Sequence, residues 1–261
     1  MAFDPLSISG CITWLDMADA STLYDATTGG SLVAADAAIA RIDDKSGTGR
    51  HVTQSTGSYR PIRKLAQQNG LATAKFDGVD DAMSGVLNLG RSGNPAFSVF
   101  WVCKKLVAAG GCVLGWGNVF AALKSSGTYD DGSAIAWAYA GGNQYYISAI
   151  GTASFHQFSS LKSAGQISTT ATVRKDGVSV ATSGHSTNTP NITDTPFVIG
   201  RWANYPPNSL NGHIGEVLVY DTKLSDADRD SVESYLNTKW FVEPSLGSSR
   251  RRRSQSGSQA L

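Results

Sequence analysis

The sequence lacks most features that mark specialised chemistry. Of its 21 acidic residues only three are glutamate, Glu216, Glu233 and Glu243. Aspartate favours turns and glutamate favours helices, so this imbalance suits a loop-rich β protein. It also leaves little material for a pair of catalytic glutamates. Charge of one sign is not in excess: 22 basic residues leave a net charge of +1, which excludes a strong field and an obvious nucleic-acid-binding body. No stretch approaches the roughly 18 apolar residues of a membrane span. The opening MAFDPLSISGCITWLD has no basic region and no long apolar run, so no signal peptide is expected. Three cysteines are too few for a disulfide framework. Cys103 and Cys112 could face each other across a hairpin, but free buried thiols are the expected state. His51, His156, His185 and His213 are scattered, with no cysteine at zinc-ligand spacing. There is no GxSxG, no phosphate loop and no ordered Ser, His and Asp set.

What is present describes a β protein. A 261-residue chain with 41% hydrophobic residues can bury one sizeable core, and all-β domains of this size are often single. Its 28 glycines point to many turns and short strands. Strands are expected at 8–16, 71–76, 96–103, 111–116, 133–140, 144–150, 169–174, 178–182, 197–201 and 212–220. The 96–103 segment is apolar on both faces, which predicts a central strand covered on each side. Asp176-Gly177 predicts a tight hairpin turn. The last segment turns helical. Ser225 is a good N-cap, Asp226 and Asp228 suit the dipole, and Val232, Leu236 and Trp240 form one stripe with Tyr235 beside it. Short strands at steady spacing without interleaved helices argue for a sandwich. The domain is expected over 1–244. Residues 245–261, with the run Arg250, Arg251, Arg252 and Arg253, have almost nothing to bury and predict a disordered basic tail.

Several stretches in order, ITWLDMADASTL, DDKSGTGRHVTQ, FDGVDD, AFSVFWVC, RKDGVSVAT, FVIGRW and LNGHIGEVLVYDTKLSDADRDSVESYLNTKW, resemble the concanavalin A-like, laminin G-type jelly-roll domains. The likeness runs over roughly residues 8–241 and is nearest the subgroup seen in phage, large-virus and bacterial surface proteins. It implies an all-β, two-sheet antiparallel jelly-roll sandwich, here with one C-terminal α-helix, whose first and last strands are adjacent. It also implies binding of glycans or proteins, or the building of a surface. Some relatives hold calcium and some are glycoside hydrolases.

Retaining glycosidases of this type carry two carboxylates on one strand, in a Glu-x-Asp-x-x-Glu pattern about 5 Å apart. The pattern is absent. Glu216 stands alone, with Gly212, Ile214 and Leu218 at like-facing positions, and is expected on the sheet surface or edge, paired with Arg201 or Lys239. On this ground the chain is expected not to be an enzyme. In FDGVDD, Asp77, Asp80 and Asp81 could hold calcium or could simply hydrogen-bond a turn. Sugar-binding candidates are loop aromatics with polar neighbours: Tyr129, Asp130 and Asp131; Asn143, Tyr145 and Tyr146; Trp202, Asn204 and Tyr205. Trp202 and Tyr145 have packing roles as their alternative. The arginine run is either a solvated tail or a salt-sensitive tether to an acidic protein or nucleic acid.

Together these features predict a non-enzymatic recognition or structural module. The leading expectation is a virion-associated surface or decoration protein, made in the host cytoplasm, whose partners are cell-surface polysaccharide and other capsid or tail proteins. The alternatives are a free carbohydrate-binding lectin, calcium-dependent or not, and then a glycoside hydrolase. The oligomeric state is left open.

Overall fold

The segment from Phe97 needs cover on both faces, and it receives it. In the computed structural model, which describes residues 3–107, 111–115, 119–122, 124–125, 135–139, 143–147, 152–180, 182–183, 196–202 and 205–242, it forms the strand Phe97–Lys105. One edge pairs antiparallel with His156–Lys162 and the other with Asn211–Tyr220. Asn211–Tyr220 is long enough to take two strands in succession along its far edge: Leu71–Asp77 on its first part and Cys11–Asp16 on its second. The first and last strands are therefore adjacent. Ala171–Lys175 and Val178–Ser179 extend this sheet on one side, and Ile62–Gln68 on the other. The hairpin between Ala171–Lys175 and Val178–Ser179 turns at Asp176 and Gly177, both at positive φ (51° and 75°).

A second antiparallel sheet runs in the order Leu114–Gly115, Pro196–Ile199, Met83–Leu87, Val52–Thr53, Arg41–Ile42, Leu23–Tyr24. The two sheets enclose the main core, which includes Phe76, Val99, Trp101, Phe158, Phe197, Val217 and Val219. The opposite face of the large sheet packs Trp14, Phe100, Val102, Leu218 and Tyr220 against Val232, Leu236 and Trp240 of the helix Asp226–Trp240. Each of these buried helix side chains contributes about 1.5–3 kcal/mol. The fold is all-β, with these two main antiparallel sheets, a four-stranded antiparallel sheet of Val119–Ala122, Ile135–Tyr139, Asn143–Ile147 and Thr182–Ser183, two short two-stranded ladders, and a C-terminal helix, beside one helical turn at Ile167–Thr170. The helix begins as its sequence predicts. The Asp228 backbone N–H donates to Ser225 Oγ at 3.2 Å, and the hydroxyl donates to Asp228 Oδ2 at 2.8 Å.

Several strands, among them Ile62–Gln68 and Met83–Leu87, lie outside the expected set, and three further differences bear on the helix and the sheets. The strand His156–Lys162 was not anticipated, because its alternation is masked by polar residues: Gln157, Ser159, Ser160 and Lys162 are all buried. Tertiary partners make this tolerable; Ser159 Oγ donates to Glu233 Oε1 at 2.5 Å, and Lys162 Nζ donates to Asn94 Oδ1 and to the Ser163 carbonyl. The stretch 111–116, expected as one strand, gives Gly111–Cys112 and Leu114–Gly115, which join different ladders. The most consequential difference is a bulge between Ile214 and Glu216. In a regular strand these residues would share a face; the extra residue sends Ile214 into the inter-sheet core and Glu216 toward the helix. Glycine is needed at the bulge, since a Cβ on Gly215 would lie 2.7 Å from the Trp240 ring. Cys11, Cys103 and Cys112 are free thiols, as expected.

Candidate functional site

Glu216 is not on the sheet surface, and of its two expected partners it meets Lys239 rather than Arg201. It is fully buried between sheet and helix, where four donors surround it. Oε1 accepts from Trp14 Nε1 (2.7 Å) and Tyr235 Oη (2.8 Å), and Oε2 from Lys239 Nζ (2.8 Å) and Trp240 Nε1 (2.7 Å). Lys239 also meets Asp16 at 2.8 Å, and Lys45 links Asp16 (3.0 Å) to Asp19 (2.8 Å). Burial and the Asp16 carboxylate push the Glu216 carboxyl up, against the pull of Lys239 and Trp240. With its acceptor sites occupied inside the protein, Glu216 fastens the helix to the sheet and faces no ligand.

Asp77, Asp80 and Asp81 do come together. Each offers one carboxylate oxygen within 4.8 Å of the others. The turn hydrogen bonds are also present: the Asp77 N–H donates to Asp81 Oδ2 (2.9 Å), and the Val79 and Asp80 N–H groups donate to Asp77 Oδ1 (2.8 and 3.4 Å). Gly78, at φ +86°, lets this turn lie against Asn211; a Cβ there would sit 2.6 Å from the Asn211 Cβ. Burial first, and then the Asp77 charge, push the Asp81 carboxyl up to about 7. Three hard oxygen donors that repel one another fit the chemistry of a calcium ion.

The other sequence candidates fall differently. Asn143 and Tyr145 lie in the strand Asn143–Ile147, opposite Tyr139 and Trp137, and Trp202 pairs with Tyr205 across a short ladder. Tyr129, Asp130, Asp131, Asn204 and Arg250 to Arg253 lie outside the described residues, as do all but the backbones of Asn143, Tyr145, Tyr146, Trp202 and Tyr205. A cluster that sequence reasoning missed lies beside the helix. Asp176 from the hairpin and Asp230 and Glu233 from the helix line one cavity with Arg174, whose guanidinium reaches Asp230 and Glu233 at 3.4 Å each. The distance of roughly 55 residues between these groups in sequence hides the cluster from any motif search.

No family model matches the chain, and no curated protein matches it in sequence. Solved structures match it by fold. One is the sialidase of Trypanosoma rangeli in complex with 2,3-difluorosialic acid, at TM-score 0.56 and 13% identity, over 89% of this chain and 33% of that one. A second is domain 4 of AbnA, a GH43 extracellular arabinanase from Geobacillus stearothermophilus, in complex with arabinotriose, at TM-score 0.51 and 16% identity, over 86% of this chain and 97% of that one. A third is a GH54 α-L-arabinofuranosidase soaked with a cyclic sulfate inhibitor, at 0.58 and 14%, over 94% and 67%. The shared feature is the β-sandwich. The chain spans about a third of the sialidase it matches.

These matches overturn the expectation that the chain is not an enzyme, because glycoside hydrolases carry this sandwich. The error was physical. The missing Glu-x-Asp-x-x-Glu pattern tests a single strand, whereas a fold can assemble carboxylates from separate elements, as it does with Asp176, Asp230 and Glu233. The virion expectation draws no support from these matches. No helix among the described residues is long and apolar enough to cross a membrane.

Proposed function

We propose that this chain is a carbohydrate-binding β-sandwich domain of the lectin type. The observation that carries the reading is the end-to-end correspondence with the arabinanase domain solved with arabinotriose, which leaves little of either chain unmatched. Titration of the protein with arabinotriose, together with a printed glycan array, tests it. Saturable binding of at least one glycan is the expected result, and a protein that retains no glycan on the array does not have this function.

Glycoside hydrolysis is the second reading, favoured by the hydrolases among the structural matches. Release of chromophore from aryl arabinofuranosides or sialosides, abolished by Glu233→Gln, would establish it.

Calcium at Asp77, Asp80 and Asp81 belongs to the lectin reading and has its own signature. The Asp81 carboxyl rises from an ordinary value of 3.8 to about 7 in the folded chain, so the folded state holds the proton more tightly. Its contribution to stability therefore falls as pH rises between those values. A cation favours the ionised form and reverses the penalty. Millimolar calcium, compared with chelator, is expected to raise the melting temperature clearly at pH ~8 and little at pH ~5. Identical melts with calcium and chelator at both values would remove calcium from the proposal.

A further inference from the structure

The cavity beside the helix has properties that the ion-pair description does not use. It is an open groove of about 370 Å³, within the roughly 300–1,000 Å³ typical of small-ligand sites. Gln157, Arg174 and Asp176 enter it from the strands and their hairpin, and Asp230, Glu233 and Asn237 from the helix. Gln157 is on the helix side of its strand, because its neighbour Phe158 enters the inter-sheet core. It is only 5% exposed, and its Oε1 has no hydrogen-bond partner among the described residues. A buried acceptor left unpaired costs about 1–3 kcal/mol, a cost that a ligand hydroxyl relieves once the Gln157 amide, which lines the groove with its Oε1 enclosed, turns toward it. On the other flank of the helix lies a groove of about 590 Å³ lined by Phe3 and Tyr235, whose rings are 6.0 Å apart. Asp230 and Ser234 border both cavities, so the two meet over the helix crest.

We propose that the two cavities form one binding track for a neutral oligosaccharide, with one sugar residue in the polar cavity donating a hydroxyl to Gln157 Oε1 and the next crossing Ser234 toward the ring of Phe3. The proposal rests on the carbohydrate-binding reading and adds the place and charge class of the ligand. The chemistry selects against other occupants. Three carboxylates, Asp176, Asp230 and Glu233, face one guanidinium in the cavity, and Arg174 is already engaged by Asp230, Glu233 and the Gly177 carbonyl. Arg229 is likewise held by Asp226 and Asp230. An acidic or sulfated sugar would meet like charge, whereas neutral hydroxyls donate to carboxylates and accept from Asn237. A metal does not fit either: among the described residues only Asp77, Asp80 and Asp81 bring three ligand atoms close enough to share an ion. The apolar face of the adjoining sugar packs on an aromatic ring, as sugar C–H groups do.

The test uses the full chain on an array of neutral oligosaccharides beside carboxylated and sulfated ones, with the variants Gln157→Ala, Asn237→Ala and Ser234→Trp. Ser234 and Asn237 are exposed on the helix, so their variants are expected to fold. Wild type is expected to retain neutral glycans only, and Ser234→Trp and Gln157→Ala each to weaken that binding about tenfold or more, near 1.4 kcal/mol. Neutral-glycan binding that survives both helix-surface variants would overturn this site and leave the carbohydrate-binding function standing. Retention of acidic glycans alone overturns the charge class. A wild type that binds no glycan removes the function and the site together. If Gln157→Ala does not fold, the two helix variants decide.

Discussion

Glu216→Gln is expected to lower the unfolding free energy by about 3–5 kcal/mol, the usual result of breaking a buried ion pair from one side. The carboxylate accepts four hydrogen bonds from Trp14, Tyr235, Lys239 and Trp240 inside a fully enclosed site. An amide of the same shape turns one end into a donor, which then faces two other donors. The Lys239 charge loses one of its two carboxylate partners and keeps Asp16 at 2.8 Å. Because these groups hold Trp240 in place above Gly215, loosening is expected to appear as a change in tryptophan fluorescence before the sheets separate. Urea unfolding measures the loss. Lys239→Met is expected to cost less in this background than in wild type, since its pair with Glu216 is already broken. A loss below about 1 kcal/mol would mean that water reaches the site and screens the pair.

Asp44→Ala is the second large effect, expected at about 3 kcal/mol or more. Its Oδ1 accepts from the Trp14 N–H (2.8 Å) and the Ser46 N–H (2.9 Å). Its Oδ2 accepts from Ser46 Oγ (2.7 Å), Thr48 Oγ1 (2.9 Å) and the Arg50 N–H (2.9 Å). One side chain thus shapes the DDKSGTGR loop and ties it to the first strand. Alanine leaves three backbone donors, of Trp14, Ser46 and Arg50, without their partner. Burial pushes the Asp44 carboxyl up, but the hydrogen bonds from Trp14, Ser46 and Arg50 outweigh this and leave it below its ordinary value. A lowered folded-state pKa means that the stabilisation is present above the ordinary carboxylate pKa and is lost as pH falls through the lowered one. The gap between wild type and Asp44→Ala, measured by chemical unfolding, is therefore expected to be full at neutral pH and to shrink in acid. A gap that does not change with pH would show that the loop is held by groups other than the charged carboxylate.

The fold was legible where information is local. The Ser225 cap, the Val232, Leu236 and Trp240 stripe, the doubly apolar strand from Phe97 and the Asp176-Gly177 turn all follow from backbone preference and side-chain periodicity. The turn that gathers Asp77, Asp80 and Asp81 was legible for the same reason, since its three carboxylates lie within five residues. The strand His156–Lys162 was not, because burial of Ser159 and Lys162 is permitted only by partners on distant elements.

Short-range periodicity and capping depend on neighbours a few positions apart, so an all-β chain closed by one capped helix can be read from local pattern. Which face each polar side chain serves depends on how distant elements pack. A single bulged residue at Gly215 turned Glu216 from a presumed surface carboxylate into the buried tie of the helix. Sheet order then placed Gln157 and Arg174, on neighbouring strands, beneath Glu233 and Asn237 of the helix. Side-chain direction in a strand reverses with each residue, so one insertion changes the face, and no local pattern records which distant element will cover it.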